Sequence, residues 1–196
     1  MRSTRLNAGI VQVYDGDGKG KTTAAFGLAL RAAGQRLRVY IIQFLKCSNR
    51  YGELKAAARF APLIEVVRTG APCRSDDGSP DFECTGCMKC HVDPAHPRPD
   101  DIECARAGLE LARTRCTDSS CDVLVLDELN CALSMGLLPV RDVLDMLSSR
   151  DPRVEVVITG RGAPKELVDS ADLVTTMVEV KHHYARGILE VKGIDF

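Results

Sequence analysis

Short apolar runs alternate with longer segments of helical period along most of the chain. The runs at 10–14, 38–44, 64–68, 122–126, 154–159 and 173–180 are rich in Val, Ile and Leu and show little polar alternation. Strands of a parallel sheet, buried on both faces, have this character. Helices are predicted over 22–33, 52–60, 100–116, 140–149 and 164–170. Gly34 suits the C′ stop of the first, and Pro164 suits the first turn of the last. The rhythm predicts an α/β fold over residues 1–196: a mostly parallel sheet with helices on both faces and ligands at the carboxyl ends of the strands. A short terminal hairpin is expected around Gly187 and Gly193.

Residues 70–99 break the rhythm. They carry five prolines, four cysteines and few large apolar groups, and a loop of this length is usually functional or disordered. The segment reads as an insertion between a strand and a helix within a single domain.

Composition adds boundaries rather than a function. A chain of 196 residues with 45% hydrophobic and 27% charged positions can build one full α/β core. A formal net charge of −1 gives no global field that would draw the chain onto nucleic acid or a membrane. The longest apolar stretch, 39–45, is interrupted by Gln43 and is too short to span a bilayer. The N-terminus lacks a secretory apolar region, so a cytoplasmic location is expected. Nine cysteines in that setting argue for free thiols, some on a metal, rather than a disulfide framework.

The chemistry begins after the first run. Gly16-Asp17-Gly18-Lys19-Gly20-Lys21-Thr22-Thr23 is a phosphate-binding loop of unusual spacing, with Asp15 at the position usually held by the first glycine. Three glycines allow a tight path whose N–H groups turn onto an anion, and the following helix adds its positive end. Lys21 supplies a point charge for phosphate, and the Thr22 hydroxyl can ligate Mg²⁺. The run ending in Asp127-Glu128 has the layout of a strand that presents acids to Mg²⁺. Thr159-Gly160-Arg161-Gly162 ends another strand, where the Arg161 fork matches phosphate oxygens.

These segments, together with Gln43-Phe44-Leu45-Lys46, Asp127-Glu128-Leu129-Asn130, Val180-Lys181-His182 and the terminal Gly193-Ile194-Asp195-Phe196, resemble the P-loop family of ATP:corrinoid adenosyltransferases. The likeness runs from Gly9 to Phe196 and is weakest over 70–99. It implies a P-loop (RecA-like) domain. It also implies transfer of the 5′-deoxyadenosyl group of ATP to a Co(I) corrinoid, with release of triphosphate, in adenosylcobalamin biosynthesis or salvage. The displaced loop glycine is a feature of that family. Cobalt is the nucleophile, so no Ser, Cys or His nucleophile and no general base is required. By the resemblance, Gly16 to Thr23 and Arg161 hold ATP. Lys21, Thr22 and Glu128 carry catalysis. Thr22, Asp127 and Glu128 serve Mg²⁺ or Mn²⁺, with Asp127 in support. Lys181 and His182 lie in a shared motif without an assigned role. A homodimer and an electron donor such as a reduced flavoprotein are the implied partners.

The chain departs from the family in two places. Well-known members carry an N-terminal helical lid, whereas eight residues precede Gly9 here, so the lid is expected to be absent or supplied otherwise. Some members follow the third strand with Phe-x-Trp, which helps strip the lower cobalt ligand. Here Thr69-Gly70 leads into Ala71-Pro72-Cys73, and the chain has no Trp. Either another residue does that work or the substrate is a precursor corrinoid without the base.

Within the insertion, Cys84, Cys87 and Cys90 form C-x-x-C-x-x-C, with Cys73, His91 and Cys104 nearby in sequence. The spacing suits Zn²⁺ or an iron–sulfur cluster with Cys73 as fourth ligand, and a cluster there would relay an electron to cobalt. A mobile loop of free thiols is the alternative. Cys47, Cys116, Cys121 and Cys131 are expected to pack as small hydrophobes. The same residues also suit a kinase or ATPase that transfers the γ-phosphoryl group, or an ATP-gated metal-binding module.

Overall fold

A computed structural model describes residues 7–48, 50–73, 90–118, 120–187 and 191–194. Six strands form one sheet: β1 (Val11–Asp15), β2 (Val39–Phe44), β3 (Ile64–Thr69), β4 (Val123–Asp127), β5 (Glu155–Thr159) and β6 (Leu173–Thr176). Their order is β3-β2-β4-β5-β1-β6, and every pairing is parallel. The continuous apolar runs have the expected cause. Every residue of β2 and of β4 is buried, which leaves no face for polar alternation.

Alternate residues of the strands feed two cores. Val13, Ile42, Phe44, Leu124, Leu126 and Ile158 join Leu109, Leu129, Met146 and Leu167 on one side. That side is covered by α3 (Pro99–Thr117), α4 (Leu129–Ser134), α5 (Val140–Ser148) and α6 (Lys165–Ser170). Ile41, Val123, Val125 and Val157 face Ala25, Ala29, Ala32 and Ala33 on the other. Those alanines belong to α1 (Lys21–Gly34), and α2 (Gly52–Ala57) adds Ala57. Small residues at helical spacing let α1 lie close on the strands that carry the site.

Several expectations change. The predicted helix over 52–60 becomes α2 followed by a 3₁₀ turn, Ala58–Phe60. Gly34 is the last residue of α1 rather than its C′ stop. Arg36 takes the left-handed conformation instead, at φ 63, and Leu37 N–H closes onto Ala32 O at 3.0 Å. Helix α4 is not foreseen, because six residues directly after two acids give no readable period. The sixth strand ends at Thr176 rather than 180, because the chain there turns to meet the phosphate loop. At the C-terminus, His183–Arg186 form a 3₁₀ turn and Gly187 and Gly193 have positive φ. The rest of the expected hairpin, 188–190 and 195–196, lies outside the described residues.

Candidate active site

Four loops meet at the carboxyl ends of β1, β2, β4 and β5, and a single carboxylate links three of the strand ends. Asp127 closes β4 and is 0% exposed. Its Oδ1 accepts from Thr22 Oγ1 at 2.8 Å and Thr159 Oγ1 at 2.7 Å. Its Oδ2 accepts from Gln43 Nε2 at 2.9 Å and Lys46 Nζ at 2.8 Å. Four donors saturate the acceptor capacity of a carboxylate. Burial alone would raise its pKa. The Lys46 charge, with the hydrogen bonds from Lys46, Thr159 and Thr22, overrides burial and holds it below the ordinary carboxylate value. The same pairing works in reverse on Lys46, whose burial would lower its pKa and whose proximity to Asp127 raises it instead.

The phosphate loop takes its shape from the chain that follows β6. Gly18 N–H donates to Met177 O at 2.8 Å. A Cβ on Gly16 would lie 2.4 Å from that same oxygen, at a φ of +98 that favours glycine. Lys21 is buried, and its ammonium donates to Gly16 O at 2.5 Å and Gly18 O at 2.6 Å. Burial first, then the Arg161 charge, lowers the Lys21 pKa against the opposing pull of Glu128. Gly20, at φ 109, caps α1 without any side-chain bond to the helix N–H groups, which leaves that positive end directed at the loop. Asp15 is no damaged glycine: its Oδ1 accepts from Ala163 N–H at 3.2 Å and joins the loop to the segment after β5. Replacing Gly16 by Ala is expected to destabilise the fold by roughly 1–3 kcal/mol and to abolish the thermal shift given by ATP. Melting curves with and without nucleotide measure both.

Glu128 adopts the left-handed conformation at φ 65, an uncommon strain for a non-glycine residue that clusters at functional sites. Its N–H donates to Thr159 Oγ1 at 3.1 Å, and its Oε2 accepts from Cys131 Sγ at 2.8 Å. Arg161 has an exposed side chain, and its N–H donates to Cys131 Sγ at 3.2 Å. Gly160 is needed there, since a Cβ would lie 2.9 Å from Cys131 N and from Asn130 Cβ.

The structure therefore brings Lys21, Thr22, Asp127, Glu128 and Arg161 into one region. Asp17, Lys19 and Thr23 lie on the exposed side of the loop and α1, whereas Gly18 is buried in the loop. Lys181 is exposed beyond β6, and His182 Nδ1 accepts from Tyr184 N–H at 3.1 Å. Cys73 is buried after β3, Cys90 is half-buried, and Cys84 and Cys87 lie outside the described residues. Among the described residues no group of three or more metal-binding side chains assembles. Cys116 and Cys121 pack in the core as expected. Two other thiols do not simply pack: Cys131 bonds Glu128, and Cys47 Sγ stands 3.1 Å from Cys90 Sγ.

Sequence reasoning assigned no role to Gln43, Lys46, Thr159 or Asn130. The available signal was Gln43, a polar residue inside an otherwise apolar buried strand. Among the described residues, Gln43 Oε1 and Asn130 Oδ1 are buried acceptors without a hydrogen-bond partner, and an unsatisfied buried acceptor calls for a water, an ion or a functional role.

Comparison with known proteins supplies the chemistry. The family model described as ATP:corrinoid adenosyltransferase BtuR/CobO/CobP matches residues 7–196. The chain is 34% identical to the corrinoid adenosyltransferase of Pseudomonas aeruginosa, over all of this chain and 88% of that protein. It is 32% identical to the corrinoid adenosyltransferase of Escherichia coli K12, over 96% of this chain and 86% of that one. The Salmonella typhimurium protein named corrinoid adenosyltransferase CobA is equally similar, with the same coverage.

Proposed function

The chain belongs to the ATP:corrinoid adenosyltransferase family BtuR/CobO/CobP, and from that premise we propose that the loop at Gly16 to Thr23 grips the triphosphate of ATP as the leaving group. The protein is a transferase that adenosylates corrinoids in cobalamin biosynthesis or salvage. In the proposed reaction Co(I) of the corrinoid donates an electron pair to the 5′ carbon of ATP. A Co–C bond forms, the C–O bond to the triphosphate breaks, and the triphosphate leaves with that electron pair.

The observation that carries this reading is the Asp127 hub. It fixes Thr22, Thr159 and Lys46, from three different strand ends, around one point. No side chain in the hub is arranged as a nucleophile with its base, and none is needed when cobalt attacks. What the reaction requires is preorganised positive charge where negative charge leaves. Lys21, the N–H groups of the loop, the α1 N-terminus and Arg161 supply it.

The residues fit a hard divalent cation. The Thr22 hydroxyl and the Glu128 carboxylate are oxygen donors, and the orphaned Gln43 Oε1 lies beside Asp127 through its own amide, a donor set of the kind Mg²⁺ takes. Asp127 would hold Thr22 in place, since its four acceptor positions are filled. When bound, Mg²⁺ or Mn²⁺ would neutralise charge on the triphosphate. We further propose the cytoplasm as the site of action, a homodimer as the assembly, and a reduced flavoprotein as the source of the electron that makes Co(I). The Cys-rich insertion is proposed to hold zinc or an iron–sulfur cluster through Cys73, Cys84, Cys87 and Cys90.

Incubation with cob(I)alamin, ATP and Mg²⁺ tests the central reading. The expected products are a light-sensitive alkyl-cobalt species and free triphosphate in equal amounts. Release of ADP instead would mark a phosphoryl-transfer enzyme and overturn it.

A further inference from the structure

We propose that Cys131 is a positioning residue for adenosyl transfer: its thiol holds the Glu128 carboxylate where it can serve the cation that accompanies the triphosphate of ATP. This rests on the reading of Glu128 as a ligand of Mg²⁺ and adds the residue that aims that ligand. Glu128 is the N-cap of α4, yet its side chain makes no capping bond to the helix. It is drawn instead to Cys131, three residues on, whose Sγ donates to Oε2 at 2.8 Å. A carboxylate held through one oxygen can still offer the other to a metal. Glu128 needs such a hold, because its backbone sits in the strained left-handed conformation at φ 65. Strain of this kind persists only where the surroundings over-determine it. Metal ligands are commonly fixed in the same way, by a hydrogen-bonded outer partner.

The sulfur is itself fixed. It accepts from Arg161 N–H at 3.2 Å, on the turn that follows β5. A Cβ on Gly160 would lie 2.9 Å from Cys131 N, so that turn presses directly on the first turn of α4. Asn130, the preceding residue, is 0% exposed, and its Nδ2 donates to Tyr14 O and Gly160 O, each at 3.4 Å. Its Oδ1 has no partner among the described residues, and a buried acceptor in that position calls for a water or an ion. With one bond donated and one accepted, Cys131 sets the Glu128 carboxylate relative to the Arg161 segment. These are the two groups that the proposed reaction directs at one triphosphate. A thiol donates and accepts only weakly; a serine hydroxyl keeps both roles, and alanine keeps neither.

Calorimetric titration of the full chain with ATP, without corrinoid, tests the assignment in excess Mg²⁺ and again in EDTA. Cys131→Ala is expected to weaken MgATP binding by about 10-fold, the lower end of the cost of removing a metal ligand's outer partner. Binding of metal-free ATP should stay at the wild-type value. Cys131→Ser should recover most of the loss. In a Glu128→Gln background Cys131→Ala should cost little more, since residues that act as one unit do not add. Four results would each overturn the proposal: equal MgATP affinity in wild type and Cys131→Ala, an equal loss with and without Mg²⁺, a Cys131→Ser that behaves as Cys131→Ala, or fully additive losses with Glu128→Gln. If wild type binds ATP no better with Mg²⁺ than with EDTA, the reading of Glu128 falls together with the inference. If wild type binds MgATP but yields no alkyl-cobalt product from cob(I)alamin, the adenosyl-transfer reading fails, and the calorimetry still decides whether Cys131 positions Glu128. Should Cys131→Ala not fold, Cys131→Val, which fills the site without either hydrogen bond, is titrated in its place.

Discussion

Replacing Lys46 with Ala is expected to destabilise the protein by about 3–5 kcal/mol, as removal of one member of a buried ion pair does. Asp127 would remain wholly buried with its charge uncompensated, and Thr22, Thr159 and Gln43 donate hydrogen bonds without supplying charge. Urea unfolding should show a lower midpoint at an unchanged slope. Adding Asp127→Asn to the Lys46→Ala variant should restore part of the loss by removing the stranded charge, whereas additive losses would show that the pair is not the source. The pH dependence carries the same signature. Asp127 has a folded-state pKa below its ordinary value, so its contribution is complete above the unfolded carboxyl value near about 3.9. It is lost as pH falls from there through the depressed folded value. Without Lys46, burial would push that pKa upward, and acid unfolding of the variant should begin at higher pH than in wild type.

Lys21→Ala should lower the rate of adenosyl transfer by at least about 10²–10³-fold, the usual effect of deleting one preorganised group aimed at developing charge. Its effect on stability should be small, because burial and Arg161 already disfavour the Lys21 charge in the free protein, as expected of an ammonium proposed to serve the leaving group rather than the core. Single-turnover formation of the alkyl-cobalt product, beside a thermal melt, separates the two effects. Lys21→Arg should not rescue transfer, because a planar fork cannot reach Gly16 O and Gly18 O as a compact ammonium does. A variant that melts near wild type yet transfers at the wild-type rate would remove Lys21 from the mechanism.

Much of the fold is legible in the sequence, for identifiable physical reasons. Strands buried on both faces, such as β2 and β4, write themselves as unbroken apolar runs. The phosphate loop is legible because glycine, lysine and threonine at fixed spacing have few other uses. The hub was not legible, because hydrogen bonds between residues at strand tips leave no period. Gln43, Lys46 and Thr159 are far from Asp127 in sequence and adjacent to it only once the sheet order sets β2 and β5 on either side of β4. The approach of Cys47 to Cys90 is hidden for the same reason, since it joins segments 43 residues apart. Helix α4 escaped because it is too short to show amphipathy, and the run beyond Thr176 is no strand because Met177, still bonded to Asp15 of β1, turns its carbonyl to Gly18 N–H.

That last contact has a consequence for assembly of the molecule. Strand β1, which leads into the phosphate loop, is paired on one side with β5 and on the other with β6, and the loop itself leans on Met177. Among the described strands, β1, the first in chain order, is thus flanked by the fifth and the sixth. Pairings of such long sequence separation form late, after the loop-closure entropy of nearly the whole chain has been met. The glycine-rich loop is therefore completed when β6 docks beside β1, so a ligand held by that loop would bind after the sheet has closed and would add to the stability of the closed form.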